Sequence, residues 1–236
     1  MINHNATINS IESLMSRLVT NGEEVEVRGK KMLELTNITL ALDVHNAQEC
    51  FFNFGQDFKF DRAAYLEEVS WFLSAYPRVD LESPDTPKKW KGAADANGFV
   101  FSNYGFLILS PHNGYQLSSV IAELKKDPQS RRAVIYYANP FIHKLSENDH
   151  PCTVYAAYTV REGKLNSYIS MRSCDLKRGF IESDAAWQLD VHKLIAKELD
   201  IPMGIQHWHF VNIHVYDKYV PSLKKIVEDM NFWRKQ

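Results

Sequence analysis

The spacing of apolar and polar positions divides the chain into alternating helices and strands. Residues 8–18 place Ile8, Ile11, Leu14 and Leu18 at helical spacing, with Asn9 or Ser10 as N-cap. EEVEVRGKKMLELTNITLALD alternates around Gly29, which predicts two strands with a turn at residues 28–30. Residues 60–76 predict a helix capped by Asp61, with Tyr65, Val69, Phe72 and Leu73 on one face. Residues 77–98, rich in Pro, Asp and Lys, predict a surface excursion that carries Trp90. GFVFSNYGFLILS predicts a strand that bends at Tyr104 and Gly105.

Residues 115–126 predict a helix with Leu117, Val120, Ile121 and Leu124 inward, followed by a DPQSRR turn and the buried strand AVIYYANP. Two alternating runs then flank a Gly-containing turn and predict a hairpin within residues 151–179, PCTVYAAYTVREGKLNSYISMRSCDLKRG. From Ser183, SDAAWQLDVHKLIAKEL predicts a long helix that buries Trp187, Val191, Leu194 and Ile195. After Pro202, HWHFVNIHVYDKY predicts a strand with Val211, Ile213 and Val215 on its apolar face. Its other face holds Trp208, Phe210, Asn212, His214 and Tyr216. SLKKIVEDMNFWRKQ predicts a last helix.

This alternation predicts an α/β fold, and 236 residues at 45% hydrophobic content give it an ample core. No repeat, low-complexity segment or linker divides the chain, so residues 1–236 read as a single domain. A net charge of −2 gives no basis for bulk binding to nucleic acid or an anionic membrane. The first residues lack a basic region followed by an apolar one, and no apolar run reaches the roughly 20 residues a membrane span needs. The three cysteines, Cys50, Cys152 and Cys174, follow no CxxC spacing, which argues against a disulfide framework or structural zinc. The expectation is a reduced, cytoplasmic protein without a metal.

The candidate chemistry sits on a few residues, each with an ordinary alternative. Cys152 opens the first run of the hairpin and Arg172 and Ser173 close the second, so a thiol and an anion-binding group come from neighbouring strands. A lone strand cysteine is also a common inert core residue. Glu68 falls on the apolar face of its helix, either ion-paired at the core edge or aimed into a site. Arg131 and Arg132 are a bidentate phosphate site or a surface pair, and Arg28 is a phosphate clamp or a solvated turn. Trp90 is a lid over a small cluster or a ligand platform. Asp184 reads first as a helix N-cap. Asn212, His214 and Tyr216 suit a polyol such as ribose, whereas His207 and His209 lack a third metal ligand at a supporting spacing.

Six pieces together resemble the thymidylate synthase family, including its nucleotide hydroxymethylases. They are EEVSWFL, SNYG, DPQSRR, PC followed by a GKL turn, MRSCDLKRG and NIHVY, in the family's order over about residues 25–220. The resemblance implies a single domain with a large mixed sheet flanked by helices, dimerising through that sheet. It implies Cys152 as the nucleophile that adds to C6 of a pyrimidine, Glu68 as the residue that orders water and handles protons, and Tyr104 and Asp184 beside them in the catalytic group. It assigns Arg28, Arg131, Arg132, Arg172 and Ser173 to the 5′-phosphate, with Arg131 and Arg132 reaching the other subunit's site. His214 and Tyr216 would hold the sugar 3′-hydroxyl. Asp175 and Trp90 would face the co-substrate, 5,10-methylenetetrahydrofolate.

Departures from the family pattern point to the base. Thymidylate synthases carry Gly-x-Pro-Phe-Asn, whose Asn reads uracil, and here the stretch is GFIESDAAWQ. Its end resembles the Asp-Tyr-Ala-Trp-Gln of the deoxycytidylate hydroxymethylases of T-even-like phages, which puts Asp184 at the Asn position. Thr153 stands where thymidylate synthases have His. A carboxylate accepts from the cytosine N4 amino group, and uracil offers no such donor. The implied reaction is C5 hydroxymethylation of dCMP. Reductive methylation of dCMP, a dUMP-specific enzyme, a CMP hydroxymethylase and a non-catalytic nucleotide- or RNA-binding relative are the alternatives. The segment is one residue longer than the family's between Gly179 and the Asp, so Ser183 occupies the unshifted position.

Overall fold

The computed structural model describes residues 7–45, 53–55, 57–84, 86–143 and 149–233, and Cys50 lies outside them. In chain order the elements are α1 (Ile11–Asn21), β1 (Glu23–Val27), β2 (Lys30–Asp43), α2 (Arg62–Leu73), α3 (Lys88–Ala93), α4 (Tyr104–Leu109) and α5 (Gln116–Lys126). There follow β3 (Val134–Tyr136), β4 (Thr153–Arg161), β5 (Lys164–Met171), β6 (Cys174–Asp175), a π-helix (Leu176–Asp184), α6 (Ala185–Leu199), β7 (Met203–Tyr216) and α7 (Val220–Trp233). The chain forms two compact units, one of Met1–Arg62 with Arg161–Gln236 and the other of Ala63–Val160.

The first unit is built on β7. This strand pairs antiparallel with β2 and parallel with β5 and β6, and β1 adds antiparallel to β2. The sheet is therefore mixed, as expected. β1 and β2 turn through Arg28 and Gly29, both with positive φ, the two-residue geometry that matches strand twist. The same positive-φ pair recurs at Glu162 and Gly163, the two residues between β4 and β5 in sequence. Ser10 caps α1 by accepting the Ser13 N–H at 3.1 Å. Trp208, Phe210, Ile213 and Val215 of β7 are fully buried, as are Leu14, Met15 and Leu18 of α1. Each such side chain contributes about 1.5–3 kcal/mol by leaving water.

β7 departs from its predicted facing. It begins at Met203, Trp208 and Phe210 belong to the core, and Val211 is exposed. Along residues 204–210 the even positions are buried, and from 213 to 215 every position is. One strand here is covered on one face in its first half and on both near its end.

The second unit pairs β3 antiparallel with β4 and carries α2 to α5. The expected strand at 104–109 is helix α4. Asn103 starts it: its Oδ1 accepts the Phe106 N–H at 2.7 Å, and its Nδ2 donates to Trp71 O at 3.2 Å. Gly105 lets it pack, because a Cβ there would stand 1.7 Å from the Phe72 carbonyl oxygen. The predicted excursion contains the short helix α3. Two residues placed on buried faces, Leu73 and Leu194, are exposed instead. Both lie at the margin of an apolar stripe, where one position of helical rotation faces water.

Candidate active site

In the second unit, Cys152 lies directly before β4 and is half-buried. The next residue, Thr153, is fully buried, and its N–H donates to the Tyr104 phenol oxygen at 3.2 Å. Tyr104 Oη and Thr153 Oγ1 are 3.0 Å apart. The tyrosine ring stacks on Phe72 and meets Tyr137 edge-on, so the phenol is a fixed post beside the backbone that carries the thiol. Upstream, the buried Asp149 carboxylate accepts the Ser102 N–H at 2.7 Å and anchors the approach to Pro151.

Glu68 of α2 is buried, and its Oε2 lies 2.9 Å from Lys89 Nζ. The ion pair offsets the cost of burying the carboxylate. Lys89 also sits 4.8 Å from the Trp90 ring. Trp90 packs against Trp71, with ring centroids 4.8 Å apart, and against Phe72 at 6.3 Å. The indole N–H groups of Trp71 and Trp90 are buried without a hydrogen-bond partner.

Arg131 and Arg132 are exposed. Arg132 is held by Glu123, with its Nε 3.0 Å and its terminal nitrogen 2.8 Å from Oε1. Ser130 Oγ donates to the same oxygen at 2.5 Å. That hydroxyl and then the guanidinium lower the Glu123 pKa below the usual carboxylate value. The DPQSRR turn is thus a stiffened presentation of Arg132.

In the first unit, Arg28 is exposed at the tip of the β1–β2 turn, and Arg172 and Ser173 lie between β5 and β6. Asp175 and His214 are register partners on β6 and β7. Asp175 Oδ1 accepts the N–H groups of Lys177 at 2.9 Å and Arg178 at 3.1 Å, capping the π-helix. Burial pushes its carboxyl above the ordinary value, against the pull of the Arg178 N–H, His214 and the Lys177 N–H.

Burial also pushes His214 below the ordinary imidazole value, with Asp175 and Glu34 acting the other way. That direction favours the neutral ring. His214 Nδ1 lies 2.7 Å from Asn212 Oδ1, and Asn212 Nδ2 donates to Glu34 Oε2. The amide, oriented by Glu34, puts the imidazole proton on Nδ1 and leaves Nε2 as an acceptor. Tyr216 meets the His214 ring edge-on at 5.3 Å. A cavity of about 780 Å³ brings Tyr216 and Asp175 together with Gly29, Lys30, Arg178 and Lys218.

Asp184 and Ser183 are both buried. Asp184 does not cap α6, because the π-helix runs directly into that helix and the residue has helical backbone angles. Its carboxylate folds back over Gly179, where an added Cβ would stand 2.9 Å from Oδ2.

The sequence model of the family described as Thymidylate synthase matches residues 10–233. The chain belongs to the thymidylate synthase family. Over 163 residues it is 32% identical to the deoxycytidylate 5-hydroxymethyltransferases of Enterobacteria phages T4 and T2, a match covering 64% of this chain and 66% of each relative. The match thus spans just under two thirds of those proteins' length.

Within this thymidylate synthase-like frame, four positions went unnoticed in the sequence: Glu34, Lys89, Glu123 and Asp149. Each acts by holding a neighbour, and two of them stand near a motif in sequence, Glu123 close before the DPQSRR turn and Asp149 two residues before Pro151. His207 stacks on Tyr168 and His209 Nε2 lies 3.1 Å from Asn37 Oδ1. Among the described residues no group of three or more His, Cys, Asp or Glu is placed to hold a metal, and no helix is long and apolar enough to cross a membrane.

Proposed function

We propose that this protein transfers a one-carbon unit to C5 of dCMP and yields 5-hydroxymethyl-dCMP. The observation that carries the reading is the buried Asp184 carboxylate over Gly179, in a segment where thymidylate synthases use Asn. A carboxylate accepts the N4–H of cytosine, and a proton shared with N3 makes the ring a better acceptor for a thiolate.

Cys152 Sγ adds to C6, and the displaced electron pair makes C5 nucleophilic. 5,10-Methylenetetrahydrofolate supplies the one-carbon unit that C5 takes up. Its fit is supported by Trp90, whose buried indole N–H lacks an acceptor while its ring forms an aromatic wall with Trp71. Asp175 fits as well, because both backbone bonds use Oδ1 and neither uses Oδ2. C5 then loses its proton to water ordered by Glu68 as the bond from the new carbon to the folate nitrogen breaks and tetrahydrofolate leaves with that electron pair, so that an exocyclic methylene remains on the ring. Water adds to that carbon, and the thiolate leaves C6 as the ring double bond returns.

His214, with Nε2 as acceptor, and Tyr216 receive the sugar 3′-hydroxyl. Arg28, Arg172 and Ser173 hold the 5′-phosphate, with Arg131 and Arg132 supplied across a homodimer formed through the sheet. Residues 1–236 act as one catalytic domain in the cytoplasm, without a metal and without nucleic acid or membrane as partner.

Competition of dCMP against dUMP in tritium release from C5 tests the substrate. Release from dCMP alone, lost in Cys152→Ala, is the expected result. Release from dUMP alone, or full activity in Cys152→Ala, contradicts the reading.

A further inference from the structure

The segment that delivers Asp184 is a helix of unusual pitch. In Leu176–Asp184 the turns are wide, and at the exit the Ala185 N–H donates to the Phe180 carbonyl five residues back. An α-helix pairs residues four apart. A π-turn accommodates one extra residue without breaking the helix, and it is rare because its geometry is less favourable.

The five-residue spacing recurs in the side chains. Lys177 Nζ and Glu182 Oε1 form an ion pair, i to i+5. On an α-helix the neighbours of Lys177 would be three and four positions along. Lys177 is only 9% exposed, and its ammonium also faces the Tyr219 ring at 6.0 Å. Gly179 and Asp184 are likewise i and i+5, and the carboxylate lies over the glycine. With α-helical spacing the residue over Gly179 would be Ser183.

We propose that this π-turn is a register device that selects the base-reading residue. It absorbs the added residue between Gly179 and α6, so that Asp184 and not Ser183 takes the reading position. Lys177 and Glu182 are positioning residues that hold the wide turn. The inference rests on the dCMP reading above and deepens it, since it assigns the choice of base to helical pitch as well as to side-chain identity.

Asparagine reads uracil, so Asn placed at each position in turn reports which one faces the base. Asp184→Asn and Ser183→Asn are compared in the full chain by kcat/KM for dCMP and for dUMP. Asp184→Asn should move the ratio toward dUMP by at least about 100-fold, the scale of a mispaired buried polar group, while Ser183→Asn leaves it within about 3-fold. The reverse pattern overturns the register assignment. Lys177→Met should lower the dCMP preference about 10-fold, and the charge swap Lys177→Glu with Glu182→Lys should restore part of it. An unchanged preference in Lys177→Met overturns the positioning role, because a merely structural ion pair alters stability and not the ratio. A wild type that prefers dUMP contradicts the functional reading. A wild type that prefers dCMP, with no asymmetry between the two Asn variants, contradicts the register device alone.

Discussion

Lys89 Nζ stands 2.9 Å from Glu68 Oε2, and this one contact ties the short helix α3 to the buried carboxylate of α2. Glu68 is 8% exposed, so the carboxylate depends on that ammonium for compensation.

Removing Lys89 leaves the charge buried and unpaired. Lys89→Met should therefore destabilise the protein by about 1–3 kcal/mol, less than a fully buried pair because the lysine side chain is 45% exposed. Glu68→Gln in the same background should recover part of that loss. A double-mutant cycle in urea measures the coupling, and a coupling near zero would show the pair to be incidental.

The relay Glu34, Asn212 and His214 sets which imidazole nitrogen accepts. Asn212→Ala removes the acceptor that holds the proton on Nδ1. Its KM for the nucleotide should rise about 10-fold with kcat nearly unchanged, because a sugar contact made equally in ground and transition states is uniform binding. A fall in kcat at constant KM would place the relay in the chemical step.

His192 gives the fold a defined acid sensitivity. It is fully buried, its Nε2–H donates to Leu165 O at 2.7 Å, and burial brings its pKa down to about 4 from 6.5. The folded-state value is the depressed one, so the unfolded chain takes up the proton first as pH falls. The stability contributed by the neutral ring is whole above pH 6.5 and drains away toward pH 4, by about 3 kcal/mol in all. Urea unfolding across that window should show a steeper loss for the native protein than for His192→Gln. Equal slopes would contradict the assignment.

How much of this was legible in the sequence follows from the physics of each signal. α1, the Arg28-Gly29 turn, α5 and α7 were readable because periodicity and turn chemistry are local. The 104–109 segment was not, because its strand-like apolar run becomes a helix through an Asn103 cap and a close approach that only Gly105 permits. Val211 was misplaced because β7 changes from half-covered to fully covered along its length. The family motifs named Glu68, Asp175 and His214, yet the residues that hold the first and last of these, Lys89 and Glu34, are distant in sequence. The sequence leaves the register of Asp184 against Ser183 open, and the π-helix supplies the spacing that places the Asp184 carboxylate over Gly179.

Mass spectrometry of the product from dCMP and 5,10-methylenetetrahydrofolate tests the proposed reaction most directly. The expected products are 5-hydroxymethyl-dCMP and, as the spent co-substrate, tetrahydrofolate. Formation of 5-methyl-dCMP with dihydrofolate, or product from dUMP and none from dCMP, would contradict it.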